Sequence, residues 1–160
     1  MRDAFLLFVY GTLKRNERAH ARFCKGAAFV APGTVRGVLH LHPDGYPILV
    51  VPDADVRALG TPDLVADTSL IGLADDDLPV ASPPGRWRAI RGEIFAFSDP
   101  STSIAAIDEY EGVSASAAAT YRRVLLPVAG TPLVRRAWGY AAAPGASLAG
   151  IPPLEADSWP

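Results

Sequence analysis

The sequence predicts an α+β domain, built on a mostly antiparallel or mixed sheet of six or seven strands that can close into a small barrel, with two or three helices. Three observations point there. Fifteen prolines and fourteen glycines in 160 residues cut the chain into short pieces, which favours strands joined by turns over long helices. Segments with strand character outnumber those with helical character. Their order is also not the alternation of strand and helix that builds a parallel sheet. The length suits a single domain, residues 1–160, with its own core.

Each element has its own signal. Ala4–Tyr10 is a continuous apolar and aromatic run bounded by Gly11, the pattern of a strand buried on both faces. Asn16–Phe23 is a short helix with Asn16 available as its cap. Ala27–Leu41 has β character with a turn or bend at Pro32-Gly33, and past it Val35, Gly37, Leu39 and Leu41 alternate with Thr34, Arg36, Val38 and His40. Pro43–Gly45 is a turn, because Gly tolerates positive φ. The stretch YPILVVP, Tyr46–Pro52, follows as a short strand.

Asp53–Trp87 shows the weakest periodicity. With Gly60-Thr61-Pro62, Asp75-Asp76-Asp77 and Ser82-Pro83-Pro84-Gly85, it is expected to be a surface segment or lid holding at most one weak helix. It is expected to border a pocket, the alternative being an insertion remote from it. Arg88–Ser98 is a strand. The next helix is clearly punctuated, by Asp99 as N-cap, Pro100 at its first position and Gly112 just past its end. Strands from Tyr121 and from Val134 complete the set, separated by a turn at Ala129-Gly130, and the tail is extended and docked.

Composition excludes several functions. Half-apolar composition with a fifth of residues charged is that of a folded globule, and a net charge of −2 offers no global basic surface for nucleic acid or anionic lipid. The local clusters Arg86-Trp87-Arg88 and Arg122-Arg123 are read as solvated strand edges. Cys24 is the only cysteine, so no internal disulfide forms, and its neighbours suit packing better than nucleophilic attack. Neither a signal peptide nor a membrane span is expected: the apolar run near the N-terminus is too short and Asp3 precedes it. A cytoplasmic protein, monomeric or homodimeric, is the simplest expectation.

The chemistry centres on the helix Pro100–Glu111. At 100° per residue Ile104 and Ile107 define its buried stripe. Glu111 lies four residues past Ile107 and seven past Ile104, so it projects from the middle of the apolar face, with Asp108 at the edge and Glu109 toward solvent. A carboxylate so placed is costly to ionise, which makes a base active near neutral pH. The alternative is that Glu111 snorkels to water or pairs with Arg122 or Arg123. The second feature is Tyr10-Gly11-Thr12-Leu13. A strand that ends in Gly-Thr leaves amides without ladder partners, which form either an ordinary turn or an anion-binding nest.

Other constellations are weaker. His40 and His42 could chelate a metal but have only Asp44 nearby, and Asp75–Asp77 lack calcium-loop spacing. No GxxxxGK[ST], GxGxxG or GxSxG occurs.

In order along the chain stand VYGTLKR (Val9–Arg15), GYP (Gly45–Pro47), GEIF (Gly92–Phe95), IDEYEGV (Ile107–Val113), YRR (Tyr121–Arg123) and WGY (Trp138–Tyr140). In these the chain resembles the gamma-glutamylcyclotransferase-like family, which includes gamma-glutamylamine cyclotransferases, over roughly Phe5 to Tyr140. The resemblance implies a small mixed β-barrel with flanking helices. It implies release of 5-oxoproline from a gamma-glutamyl amine or amide without metal or cofactor. By position it assigns the glutamyl-binding loop to Tyr10, Gly11, Thr12 and Leu13, and the catalytic acid/base to Glu111. The long Asp53–Trp87 segment departs from the compact members and leaves the leaving amine open. The alternatives are a non-catalytic module on the same fold that only binds a small ligand and, among enzymes, an amide hydrolase.

Overall fold

The computed structural model describes residues 4–11, 20–24, 26–43, 45–71, 87–113, 120–130, 134–143, 148, 151, 153 and 154. They form β1 (Phe5–Val9), α1 (His20–Phe23), β2 (Ala28–Leu41), β3 (Pro47–Val50), a 3-10 turn (Asp53–Asp55), β4 (Ala58–Leu59), α2 (Leu64–Leu70), β5 (Arg88–Phe97), α3 (Pro100–Glu111), β6 (Tyr121–Ala129) and β7 (Val134–Ala142).

The strands lie in the order β3-β2-β5-β1-β7-β6-β4, and β2 also pairs with β6 through Thr34 and Ala129. Five of them, β2, β5, β1, β7 and β6, therefore close into a barrel, with β3 and β4 appended to β2 and β6. The β1–β7 pairing is parallel and the others are antiparallel, so the barrel is mixed, as the sequence predicts.

Strand β1 is apolar throughout because both its faces are covered. Phe8 and Tyr10 join Val35, Leu39, Ile90, Ile94, Val124 and Leu126 in one core cluster, the filling of the barrel. Phe5, Leu7 and Val9 join Phe95, Trp138, Leu64, Ile104 and Ile107 in the other, between the barrel wall and the helices α2 and α3. Continuous apolar sequence is what a strand with no solvated face requires.

Two expectations are corrected. Pro32-Gly33 does not turn the chain, because β2 runs unbroken through it, opposite Glu93 and Gly92. A register shift lies just upstream, between Phe29 and Ala31. Gly33 marks the closure of the barrel: a Cβ there would lie 2.5 Å from Val128 Cγ1, so only a bare backbone lets β2 approach β6.

Nor is the first part of the 53–87 segment a loose surface excursion. It contributes the 3-10 turn, an edge strand and a helix, and Asp55, Leu64 and Asp67 are buried. The Asp63 side chain caps α2 by accepting from the Ala66 N–H at 3.0 Å. Polar composition suggested solvent, but Asp55 and Asp67 are satisfied internally, Asp55 by the Arg36 guanidinium and Asp67 by Arg123. Residues 72–86, including Asp75–Asp77 and Arg86, lie outside the described residues.

The punctuation of α3 holds. Asp99 is its N-cap residue, although its carbonyl rather than its side chain accepts from the Thr102 and Ser103 amides. Gly112 ends the helix at φ +72°, and the Gly112 and Val113 amides donate back to the Asp108 carbonyl. Parts of the tail dock on β2: Leu154 N–H donates to the Leu39 carbonyl at 2.7 Å, and Pro153 bridges His40. The start of the predicted helix at Asn16 lies outside the described residues, which place α1 at His20–Phe23.

One consequence is testable. A Cβ on Gly92 would strike the Val9 carbonyl and lie 2.5 Å from Phe8 Cζ, between β5 and β1. Gly92→Ala should destabilise the fold by about 1–3 kcal/mol, the usual cost of overpacking a tight core. Chemical denaturation measures this, and a midpoint equal to wild type would mean that the barrel wall is more compliant than its geometry indicates.

Candidate active site

At one end of the barrel, β1 runs out at Tyr10-Gly11 beside the C-terminal turn of α3. A cavity of about 330 Å³ opens there, walled by Phe8, Tyr10, Gly11, Tyr46, Tyr121 and Tyr140, with Glu111 and Tyr110 on the α3 side. The sequence-predicted residues Tyr10, Gly11 and Glu111 thus share one cavity. Thr12 and Leu13 lie outside the described residues.

Glu111 is held where helical periodicity puts it, in line with the fully buried Ile104 and Ile107. It neither pairs with Arg122 or Arg123 nor makes a hydrogen bond to any described residue. Burial first, and the neighbouring Asp108 charge second, push its carboxyl from 4.5 up to about 7. The position at the C-terminal end of α3, where the helix dipole is negative, acts in the same direction.

Aromatic hydroxyls hold the walls in place. Tyr10 OH donates to the Tyr140 carbonyl at 2.6 Å, Tyr121 OH to the Pro47 carbonyl, and Tyr140 OH to Asp108 Oδ1 at 2.7 Å. Burial, with lesser contributions from nearby acidic groups, raises the pKa of all three, which keeps them protonated. Each hydroxyl spends its proton on the protein and keeps lone pairs for a donor on a ligand. Gly11 packs on Pro47: a Cβ there would come within 3.1 Å of Pro47 Cγ.

Sequence reasoning missed what lies behind Glu111. Arg123 is not on a solvated strand edge but is 2% exposed. Its Nε and Nη2 donate to the two oxygens of Asp108 at 3.0 and 3.1 Å, its Nη1 to Asp67 Oδ2 at 2.8 Å, and its Nη2 also to the Thr61 carbonyl at 2.8 Å. The plane stacks near Trp138, 5.1 Å from the ring centroid. The strand period could have found it, because Arg123 shares a face with Tyr121 and Leu125, both buried. Leu64-x-x-Asp67 carries the same signal on α2, a carboxylate one turn from a buried leucine.

The remaining candidates sit elsewhere. Cys24 is buried and its thiol is pushed up to about 11, the behaviour of a packing residue. His40 Nδ1 lies 3.1 Å from the Ile151 carbonyl, while the His42 ring stacks on Tyr46 at 4.2 Å. None of the described residues 53–71 lines the cavity.

The open end of a small closed barrel thus holds, in a tyrosine-walled cavity, a partly buried carboxyl with no hydrogen-bond partner among the described residues. The sequence profile of the gamma-glutamyl cyclotransferase, AIG2-like family matches residues 7–62 and 57–160, and the chain belongs to that family. Its fold is similar to the crystal structure of an AIG2-like protein from Mus musculus, with a TM-score of 0.60 at 18% identity over 99% of this chain and 90% of that one. It is also similar to YkqA from Bacillus subtilis, with a TM-score of 0.57 at 18% identity over 98% of this chain and 39% of YkqA. Likeness at such identity is one of fold. No curated protein sequence matches the chain significantly.

The raised carboxyl has a consequence for stability. The folded state holds the Glu111 proton up to about 7, whereas an unfolded chain releases it near 4.5. Wild-type stability is therefore unaffected by this group below 4.5, falls between 4.5 and about 7, and stays lowered above. Glu111→Gln removes the effect. At pH 8 it should be more stable than wild type by roughly 2–3 kcal/mol, after allowance for partial solvent contact, and near parity at pH 4. Urea unfolding at both pH values tests this, and a difference independent of pH would show that the carboxyl is not held in an ionisation-hostile site.

Proposed function

We propose that the protein is a cyclotransferase that releases 5-oxoproline from a gamma-glutamyl amine or amide, with Glu111 as acid and base. The observation that supports this most is the cavity-facing carboxyl of Glu111, without a hydrogen-bond partner among the described residues and pushed up to about 7 by burial and the Asp108 charge.

The substrate's α-ammonium gives a proton to the Glu111 carboxylate, and the freed amine attacks its own γ-carbonyl carbon. A five-membered ring closes and the carbonyl oxygen becomes an oxyanion. Collapse breaks the bond to the leaving nitrogen, which takes the proton back from Glu111, and the ring nitrogen then gives up its second proton through Glu111 to the departing amine, which leaves as an ammonium. The balance needs no water, metal or cofactor. Because the nucleophile and electrophile belong to one molecule, holding it folded supplies much of the rate. A base matched to neutral pH supplies typically a further 10²–10⁴-fold.

In this proposal the loop Tyr10–Leu13 holds the α-carboxylate or the oxyanion with its amides, and Gly11 lets the ligand approach bare backbone. The tyrosine oxygens accept from the α-ammonium. A cytoplasmic setting and a monomer or homodimer belong to the same proposal, with no nucleic-acid or membrane partner.

Glu111→Gln should lower 5-oxoproline release from gamma-glutamyl amines by at least ~100-fold while the protein stays folded. In the wild type, kcat/KM should rise as pH approaches about 7 and then level off, as Glu111 must be ionised to act. Turnover in the mutant close to wild type would refute the assignment, and free glutamate as product would mean a hydrolase. Gly11→Val, whose side chain would crowd Pro47 and the ligand, should weaken 5-oxoproline binding in calorimetry. Unchanged binding in a folded variant would reduce the loop to a turn.

A further inference from the structure

Behind the cavity wall lies a buried chain of charges that the reaction above does not use. Asp67 from α2 contacts Arg123 from β6, Arg123 contacts Asp108 from α3, and Asp108 precedes Glu111 by less than one helical turn. Each aspartate is also held by groups other than Arg123. Asp67 accepts from Thr61 N–H at 2.8 Å and Thr61 Oγ1 at 2.9 Å as well as from Arg123. Its carbonyl accepts from Trp138 Nε1 at 3.0 Å. Asp108 accepts from Tyr140 OH as well as from Arg123, and Tyr140 is the cross-strand partner of Arg123.

Two carboxylates flank one guanidinium, so the chain is one negative charge in excess. We propose that Asp67 and Arg123, neither of which lines the cavity, are positioning residues for the reaction: their ion-pair chain fixes the Asp108 side chain of α3 against β6 and sets the charge that Glu111 faces. A single Arg–Asp pair would present a neutral neighbour to Glu111. The second aspartate, contributed by α2, leaves the cluster anionic and discourages Glu111 from ionising too early. The groups facing Glu111 are Asp108 on α3, Tyr10 after β1, Tyr46 before β3, Tyr121 on β6 and Tyr140 on β7, with Arg123 behind Asp108. Among these, Arg123 is the cation, and Asp67 offsets it. This agrees with the contribution of the Asp108 charge to the raised Glu111 carboxyl.

The catalytic meaning of the relay rests on the cyclotransferase reading, but its physical core does not. Asp67→Asn keeps the shape and an oxygen for Arg123 while removing one charge. The Glu111 midpoint should fall. Arg123→Gln removes the cation, and the midpoint should rise. Arg123→Lys keeps the charge without the planar fork, so it should restore the midpoint but leave kcat low with KM little changed. The midpoint is read directly by NMR titration of ¹³C-labelled glutamate carboxyls, assigned by the signal lost in Glu111→Gln, and independently from the pH profile of kcat/KM.

Opposite shifts in Asp67→Asn and Arg123→Gln support the relay, since loss of structure alone would not move the two in opposite directions. An unchanged Glu111 midpoint in folded Asp67→Asn overturns it, whatever Arg123→Gln does. If the NMR shifts appear but wild type releases no 5-oxoproline from any gamma-glutamyl amine tried, the cyclotransferase reading fails while the relay stands.

Discussion

A guanidinium removed from water constrains much of this molecule. Arg123, 2% exposed, lies between the barrel wall and the helices. An unpartnered charge there would cost several kcal/mol, so the chain must bring carboxylates to it. Four of its five N–H groups find acceptors, on Asp108, Asp67 and the Thr61 backbone. These come from α3, from α2 and from the loop before α2. Satisfying one cation therefore fixes the position of both helices against β6 and β7, and the apolar contacts of Leu64, Ile104 and Ile107 fill in around it. Such a cluster is weak testimony for net stability, because its desolvation offsets most of its attraction. Its contribution is to geometry, since few other packings of α2 and α3 would satisfy it.

That geometry separates two acids on one helix. Asp108 and Glu111 are three residues apart, yet one is saturated with donors and the other has no protein donor among the described residues. Environments that divide neighbouring carboxyls in this way assign different roles to them. Asp108 is spent on Arg123 and Tyr140. Glu111 faces the cavity with a proton it can give or take near neutral pH. The cost of that poise falls on stability, which is the usual relation between a functional site and the fold that carries it.

Much of this was legible in the sequence, for local reasons. The run Phe5–Val9, the capped helix Pro100–Glu111 with Gly112 after it, and the alternation in Val35–Leu39 each follow from periodicity and turn chemistry within a few residues. Glu111 was found because it breaks the pattern of its own helix. Arg123 and Asp67 break theirs in the same way, but their partners are 56 residues apart in the chain. A charged residue with inward parity seen alone looks like a strand edge or a polar loop, and only the tertiary partner reveals it as core. Pro32-Gly33 misled for a related reason. Those residues are turn formers locally, while the close approach of β2 to β6 selects Gly33 for the absence of a side chain.

The closed barrel also explains why such a polar cluster can sit so near a cavity without flooding it. Closure removes the sheet edges between β2 and β6, so the interior of the barrel is filled by its own side chains and the wall is stiff. Arg123 stands on the outer side of that wall with Phe5 and Trp138 against its plane, and Tyr140 beside it lines the cavity. Tyr140 thus belongs to both compartments, with its hydroxyl on Asp108 and its carbonyl receiving Tyr10 OH. Two hydrogen bonds connect the charge cluster to the residue that precedes Gly11. Displacement of the cluster would therefore be felt at both sides of the cavity, at the end of β1 and at the last turn of α3. The two surfaces that a ligand would touch are thus tied to one buried cation.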